Sequence, residues 1–335
     1  MTFATLDALR DRCRALPAGD DMAAQAAAAR QDALTKPPGS LGRLEELAIW
    51  LARWQGRAAP RLDKVEILIF AGSHGVSAHG ISAFPAAVTA QMVANFEAGG
   101  AAINQISKVA GASLKVHPLA VETLTNDFTQ GPALSEAEFL DFAARGYEAV
   151  DADADLICLG EMGIGNTTVA AALCLGLYGG SGADWVGRGT GVDDAGLARK
   201  AEVIGRAVEV NRDRLDDPLT LLAALGGREF AAMFGAALAC RIKPVPLLID
   251  GFIATAALAP LAALNDDGLA HGICAHVSAE KAHAELLARL GKRPLLDLAM
   301  RLGEGSGAGI AINIARAAIA CHNGMATFAE AGVSE

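Results

Sequence analysis

The six cysteines, Cys13, Cys158, Cys174, Cys240, Cys274 and Cys321, never stand as C-x-x-C, and most lie inside apolar runs. That spacing offers neither a disulfide framework nor a cysteine-based zinc site, and reduced thiols in the cytoplasm are expected. Aromatic residues are scarce, at 5%, and no basic run interleaves with them. With a net charge of −10, the chain lacks the footprint of a nucleic-acid binder. An anionic ligand would have to be held by backbone N–H groups and a few cations. The first residues, MTFATLDALRDRCRAL, mix charged with apolar side chains and have no apolar core of a secretory signal. The one long apolar run, PVPLLIDGFIATAALAPLAAL from Pro244 to Leu264, is broken by Pro244, Pro246, Pro260 and Asp250-Gly251. It reads as strand, turn and buried helix rather than a membrane span.

What the chain has in quantity is core. Hydrophobic residues make up 52% of 335, with 37 glycines among the total, ample for one large α/β domain with or without a smaller lobe. The organising stretch is LICLGEMGIGNTTVAAAL, from Leu156 to Leu173. An apolar run meets Gly160, Gly163 and Gly165, and an Ala-rich segment follows: strand, glycine turn, helix. Such a turn aims backbone N–H groups and a helix dipole at one spot, where a phosphate is favoured. Asn166, Thr167 and Thr168 add polar side chains at the helix start. The stretch nearly matches a P-loop, with Asp250 ending a Walker-B-like run, but Asn166 stands where lysine is required. A lone monophosphate suits it better than a triphosphate. A purely structural turn is the competing reading.

Elsewhere, residues 1 to 60 read as helical, with Ser40 a plausible N-cap and Lys36 and Arg43 possible phosphate contacts. KVEILIFA, ending at Ala71, reads as the first strand, and the loop GSHGVSAHGISAFP follows it, where open α/β sheets place ligands. Residues 122 to 137 read as a surface loop. GRGTGVDDAGLARK is a second glycine turn leading into a helix that carries Lys200, a cation for the phosphate region; Asp193 and Asp194 read as helix caps before metal ligands. His276, Glu280 and His283 fall at i, i+4 and i+7, a weak metal spacing because Ser278 reads as an N-cap. A helix is expected to end at Leu302-Gly303. Glu304, on the turn Gly-Glu-Gly-Ser-Gly, is placed as a general base would be. Repeated strand–turn–helix units predict an α/β fold with a Rossmann-like, mostly parallel sheet and helices on both faces. The expected division is a large domain over 60–304 and a small helical lobe from 1–59 and 305–335.

KPPGSLGRLEELA, GSHGVSAHGISAFP, GEMGIGNTT, GRGTGVDDAGLARK, LGGREFAAM, DGFIATAAL, AHVSAEKAH and RLGEGSGAG occur in that order. Together they resemble the nicotinate-nucleotide–dimethylbenzimidazole phosphoribosyltransferase family of the cobalamin lower-ligand pathway. The resemblance implies a homodimer that converts nicotinate mononucleotide and 5,6-dimethylbenzimidazole to α-ribazole 5′-phosphate and nicotinate. It makes Glu304 the general base. It places Glu161, Gly163, Gly165, Asn166, Thr167 and Gly189 at the ribose phosphate, with Lys200 and Ser278 beside it. Phe84, Met92 and Leu302 would line the pocket of the benzimidazole-type base. Ser73 stands where the family motif is expected to carry Asp or Asn. The implied chemistry needs no cofactor and no metal, because the pyridinium leaves as a neutral ring nitrogen and one carboxylate suffices for the proton. A P-loop-like kinase and a non-catalytic phosphate-binding protein are the alternatives.

Overall fold

A computed structural model describes residues 3–334. Three helices come first: α1 (Leu6–Arg14), α2 (Asp21–Ala33) and α3 (Arg43–Gln55). Strand β1 (Val65–Ala71) leads through α4 (Val88–Glu97) and α5 (Ala102–Ala110) to β2 (Ser113–Pro118), and α6 (Glu136–Ala149) returns the chain to β3 (Leu156–Met162). Five helices follow: α7 (Asn166–Tyr178), α8 (Gly182–Trp185), α9 (Asp194–Val210), α10 (Pro218–Leu225) and α11 (Arg228–Ile242). Strand β4 (Leu247–Ile249), α12 (Phe252–Leu264), β5 (Gly272–Cys274), α13 (Lys281–Arg289), α14 (Ser306–Gly324) and α15 (Phe328–Ala331) complete the order.

The five strands are parallel, in the order β2-β1-β3-β4-β5. Every residue of β1 is buried, as expected of a strand covered on both faces. One face packs under α6, α7, α10, α11 and α12, through side chains such as Phe139, Leu222, Phe230 and Phe234. The other meets α3, α5 and α14 through Leu51, Ile103, Ala308 and Ile312. Full burial of one such Leu, Ile or Phe is worth roughly 1.5–3 kcal/mol, so both layers are needed. The strand order reverses between β1 and β3, and the C-terminal ends of those strands form the crevice where doubly wound sheets take ligands.

Helices α6 and α11 approach unusually closely. A Cβ on Gly146 would stand 1.8 Å from the Ala232 carbonyl, and one on Gly235 would stand 1.8 Å from that of Ala143. The chain ends also meet: Leu34 bridges Thr327, and Gln31 Nε2 lies 2.9 Å from His322 Nδ1. No helix among the described residues is long and apolar enough to cross a membrane.

Several local expectations change. Helix α3 is capped by Gly42 at φ +52°, not Ser40, and Lys36 is buried in an ion pair with Glu45 at 2.9 Å. The segment 122–135 is a loop, as expected, and is fastened down, with α6 starting at Glu136. The Arg228 guanidinium donates to the carbonyls of Ala120, Thr123 and Leu124, and Phe128 is buried. The helix expected to end at Leu302 is absent. Leu295 and Leu296 instead donate backbone N–H groups to the carbonyls of Cys274 and Ala275, running extended beside β5. Ala299, at φ +53°, is incompatible with a helix there.

Candidate active site

Four loops meet above the C-terminal ends of β1, β3 and β4. After β3, Gly163 to Gly165 turn the chain, with Gly165 at φ +96° as the N-cap of α7. Gly160 is not part of that turn. It lies within β3, where an added Cβ would stand 2.5 Å from Gly305 N. Three backbone amides of the turn are already engaged: Ile164 donates to Thr89 Oγ1, Asn166 to the Gly163 carbonyl and Thr168 to that of Gly165. The expected cradle of free N–H groups is therefore thinner than the glycines imply, and side chains carry more of the surface.

Those side chains surround a cleft of about 260 Å³. Glu161, Gly163, Asn166, Thr167, Gly189, Ser278, Leu302, Glu304 and Phe84 all line it. Gly165 lies behind the lining, against Ile81. Lys200 stands one layer back, its Nζ donating to Thr167 Oγ1 at 2.9 Å and to the Gly187 carbonyl at 2.8 Å. Burial lowers its pKa to about 8, partly opposed by Glu280. Gly189, at φ +50°, lets the second turn close on this pair, since a Cβ would stand 2.7 Å from Thr167 Oγ1. Met92 does not line the cleft; it is half-buried against the layer of α5 and α14. Phe84 and Leu302 are 53% and 55% exposed, leaving apolar surface at the mouth for a flat ring.

Glu304 is the strained residue of the site. It sits at φ +61° between Gly303 at φ +80° and Gly305 at φ +76°, a region that costs a side-chain-bearing residue on the order of 1–3 kcal/mol. Asp250, at the end of β4, holds this turn. Its carboxylate accepts from Gly305 N at 3.2 Å and Ala308 N at 2.9 Å, at the N-terminus of α14. Burial pushes the Glu304 carboxyl up to about 7, and the nearby Asp250 charge adds to the shift. Burial also raises the carboxyl of Glu161 well above its usual range, helped by Asp250, Glu229 and Glu304, while the hydrogen bond from Asn166 opposes it. The cleft therefore holds one carboxyl poised near neutrality beside another whose burial also favours its neutral form.

Other residues enter the cleft that the sequence reading did not assign to it: Thr190, Phe252, Ile253, His276, Glu280 and Arg301. Arg301 Nη1 donates to the Gly189 carbonyl at 2.8 Å, and Thr190 Oγ1 lies 3.1 Å from Ser82 Oγ. Ser278 is not a helix cap. Glu280 is the N-cap of α13, and its Oε1 accepts from Gly189 N at 2.9 Å. His283 has both ring nitrogens engaged, with Ser278 N and Thr255 Oγ1, so the trio 276, 280 and 283 does not share one helix face. His74 pairs with Glu229 and His79 with Asp127, in separate places. Asp193 caps α9 by accepting from Gly196 N. Asp250, committed to the α14 amides, does not play a Walker-B part. Its signal was available: a carboxylate directly after a buried strand, at the ligand end of an open sheet.

A family model described as Phosphoribosyltransferase matches residues 16–333. The nicotinate-nucleotide–dimethylbenzimidazole phosphoribosyltransferase of Mesorhizobium japonicum is 60% identical over 335 residues, covering 100% of both chains. That of Jannaschia sp. is 59% identical over 315 residues, 94% of each chain. Among solved structures, CobT from Thermus thermophilus superposes with a TM-score of 0.86 at 40% identity, covering 94% of this chain and 99% of that one. The chain is an enzyme and belongs to the nicotinate-nucleotide–dimethylbenzimidazole phosphoribosyltransferase family.

Proposed function

We propose that this enzyme moves the ribose 5-phosphate of nicotinate mononucleotide onto 5,6-dimethylbenzimidazole, with inversion at C1′. The observation that carries the reading is Glu304, a carboxyl raised to about 7 on a strained turn facing the cleft. A benzimidazole nitrogen attacks C1′ as the bond from C1′ to the pyridinium nitrogen breaks, its electron pair staying on nicotinate. Glu304 takes the proton from the second benzimidazole nitrogen, so no charge builds up on the new base. Attack opposite the leaving ring turns a β-nucleotide into an α-ribotide.

Thr167, Ser278, Arg301 and the Gly189 turn receive the 5′-phosphate, and Lys200 supports them through Thr167. Glu161 and Asn166 face the ribose hydroxyls, and Phe84 and Leu302 flank the flat acceptor. The chemistry calls for no cofactor. We further propose a cytoplasmic homodimer.

Nicotinate release by the purified protein, with product identified by mass and chirality at C1′, tests the reading. Release that depends on 5,6-dimethylbenzimidazole and gives the α-anomer is expected. Hydrolysis to free ribose 5-phosphate, or a β-linked product, would overturn the mechanism. Sedimentation tests the dimer.

A further inference from the structure

Both backbone groups of Gly189 are taken by side chains from distant parts of the chain. Its carbonyl accepts from Arg301 Nη1 at 2.8 Å, and its N–H donates to Glu280 Oε1 at 2.9 Å. Glu280 is the N-cap of α13 but makes no side-chain hydrogen bond to its own helix; its carboxylate serves the loop instead. Two residues before Gly189, the Gly187 carbonyl accepts from Lys200 Nζ at 2.8 Å. A Cβ on Gly187 would stand 1.7 Å from Glu280 Oε2, so the carboxylate packs directly against the loop backbone. Glu280 also reaches Ser278: its own N–H donates to Ser278 Oγ at 3.2 Å. That bond occupies a lone pair of the hydroxyl and leaves its proton for a ligand.

A carboxylate in a cleft that receives a phosphate would ordinarily weaken binding, since like charges repel more strongly where water is excluded. Here Oε1 is engaged by Gly189 N and Oε2 is sealed from solvent. The charge therefore backs the loop rather than meeting the anion, and it favours the ammonium form of Lys200 against the effect of burial. We propose, resting on the phosphate site assigned above, that Glu280 is a positioning residue for the donor substrate: its carboxylate fixes the Gly189 turn and its N–H orients Ser278. A site set in advance leaves less to be ordered when the nucleotide binds.

The test is calorimetry on the whole protein with nicotinate mononucleotide and with inorganic phosphate, together with steady-state kinetics. Glu280→Asp keeps the charge and remains a good N-cap, but draws the oxygen back from Gly189. It should weaken nicotinate mononucleotide by about tenfold or more, the scale of one charged hydrogen bond. Glu280→Gln keeps an oxygen for Gly189 N and should weaken it by only about threefold. Phosphate should weaken in parallel, while kcat and the KM for 5,6-dimethylbenzimidazole stay within a few-fold of wild type. Should Glu280→Asp fold poorly, Glu280→Gln carries the comparison. Three outcomes would overturn the proposal: tighter binding of either anion by Glu280→Gln, which would mean that the carboxylate repels phosphate; unchanged affinities in both variants; or changes in kcat and the acceptor KM as large as the change in nucleotide affinity, which would make the role a general structural one. A wild type that binds phosphate but not nicotinate mononucleotide would instead overturn the donor reading, with the phosphate affinities still deciding the role of Glu280. A wild type that binds neither would overturn both.

Discussion

Glu304 combines three properties that follow from its neighbours. Flanking glycines permit the left-handed turn, Asp250 fastens it, and burial raises the carboxyl to about 7. As a base it must be ionised, so turnover should rise with pH through about 7 and level off above. Glu304→Gln should lower turnover by about 10²–10⁴-fold, while nicotinate mononucleotide still binds; an assay within a few-fold of wild type would remove the assignment. Stability gives a second readout. Because the folded carboxyl holds its proton to about 7, against an ordinary 4.5, the folded state binds more protons between those values. Wild-type stability is therefore lost as pH rises through that window. The melting temperature of Glu304→Gln should match wild type near pH 4.5 and exceed it above pH 7. Asp250→Asn probes the same coupling. Removing that charge should lower the Glu304 pKa, so the acid limb of the rate profile should move to lower pH; an unmoved limb would show that burial alone sets it.

Among the elements, the closest contact is the crossing of α6 and α11. Gly146 and Gly235 let each helix backbone touch the other, with no room for a methyl group. Gly235→Ala should cost about 1–3 kcal/mol through overpacking, even though alanine is the better helix former. Denaturant unfolding measures it, and a variant more stable than wild type would show that the helices part freely. This contact illustrates what the sequence leaves unsaid. The strand run KVEILIFA announces β1 almost residue for residue, because periodicity is a local property. The pairing of two small residues across helices far apart in the chain is not. The same holds at the cleft. The glycines and Glu304 stand out locally, whereas Arg301 and Thr190 matter only because distant loops fold over β3. The missing helix before Gly303 fails for a related reason: the apolar residues from Leu295 to Met300 look helical, but the open edge of β5 claims their backbone instead.

For the whole molecule, the two faces of the sheet differ in when their covers occur along the chain. Helices α6, α7 and α11 precede or directly follow the strands they pack on. Helix α14, which covers Ile67, Ile69, Leu156 and Cys158 on the other face, comes after every strand. During synthesis that face waits, apolar and open, until residue 324 has left the ribosome. A chain arrested before α14 should bind a hydrophobic dye strongly and the full chain weakly, and equal binding would show that α3 and α5 suffice as cover. The turn bearing Glu304 is the lead-in to this last helix and is tied to it through Asp250. Burial of the sheet and assembly of the general base are thus one event, and an unfinished chain has neither a closed core nor a working cleft with which to consume its substrates.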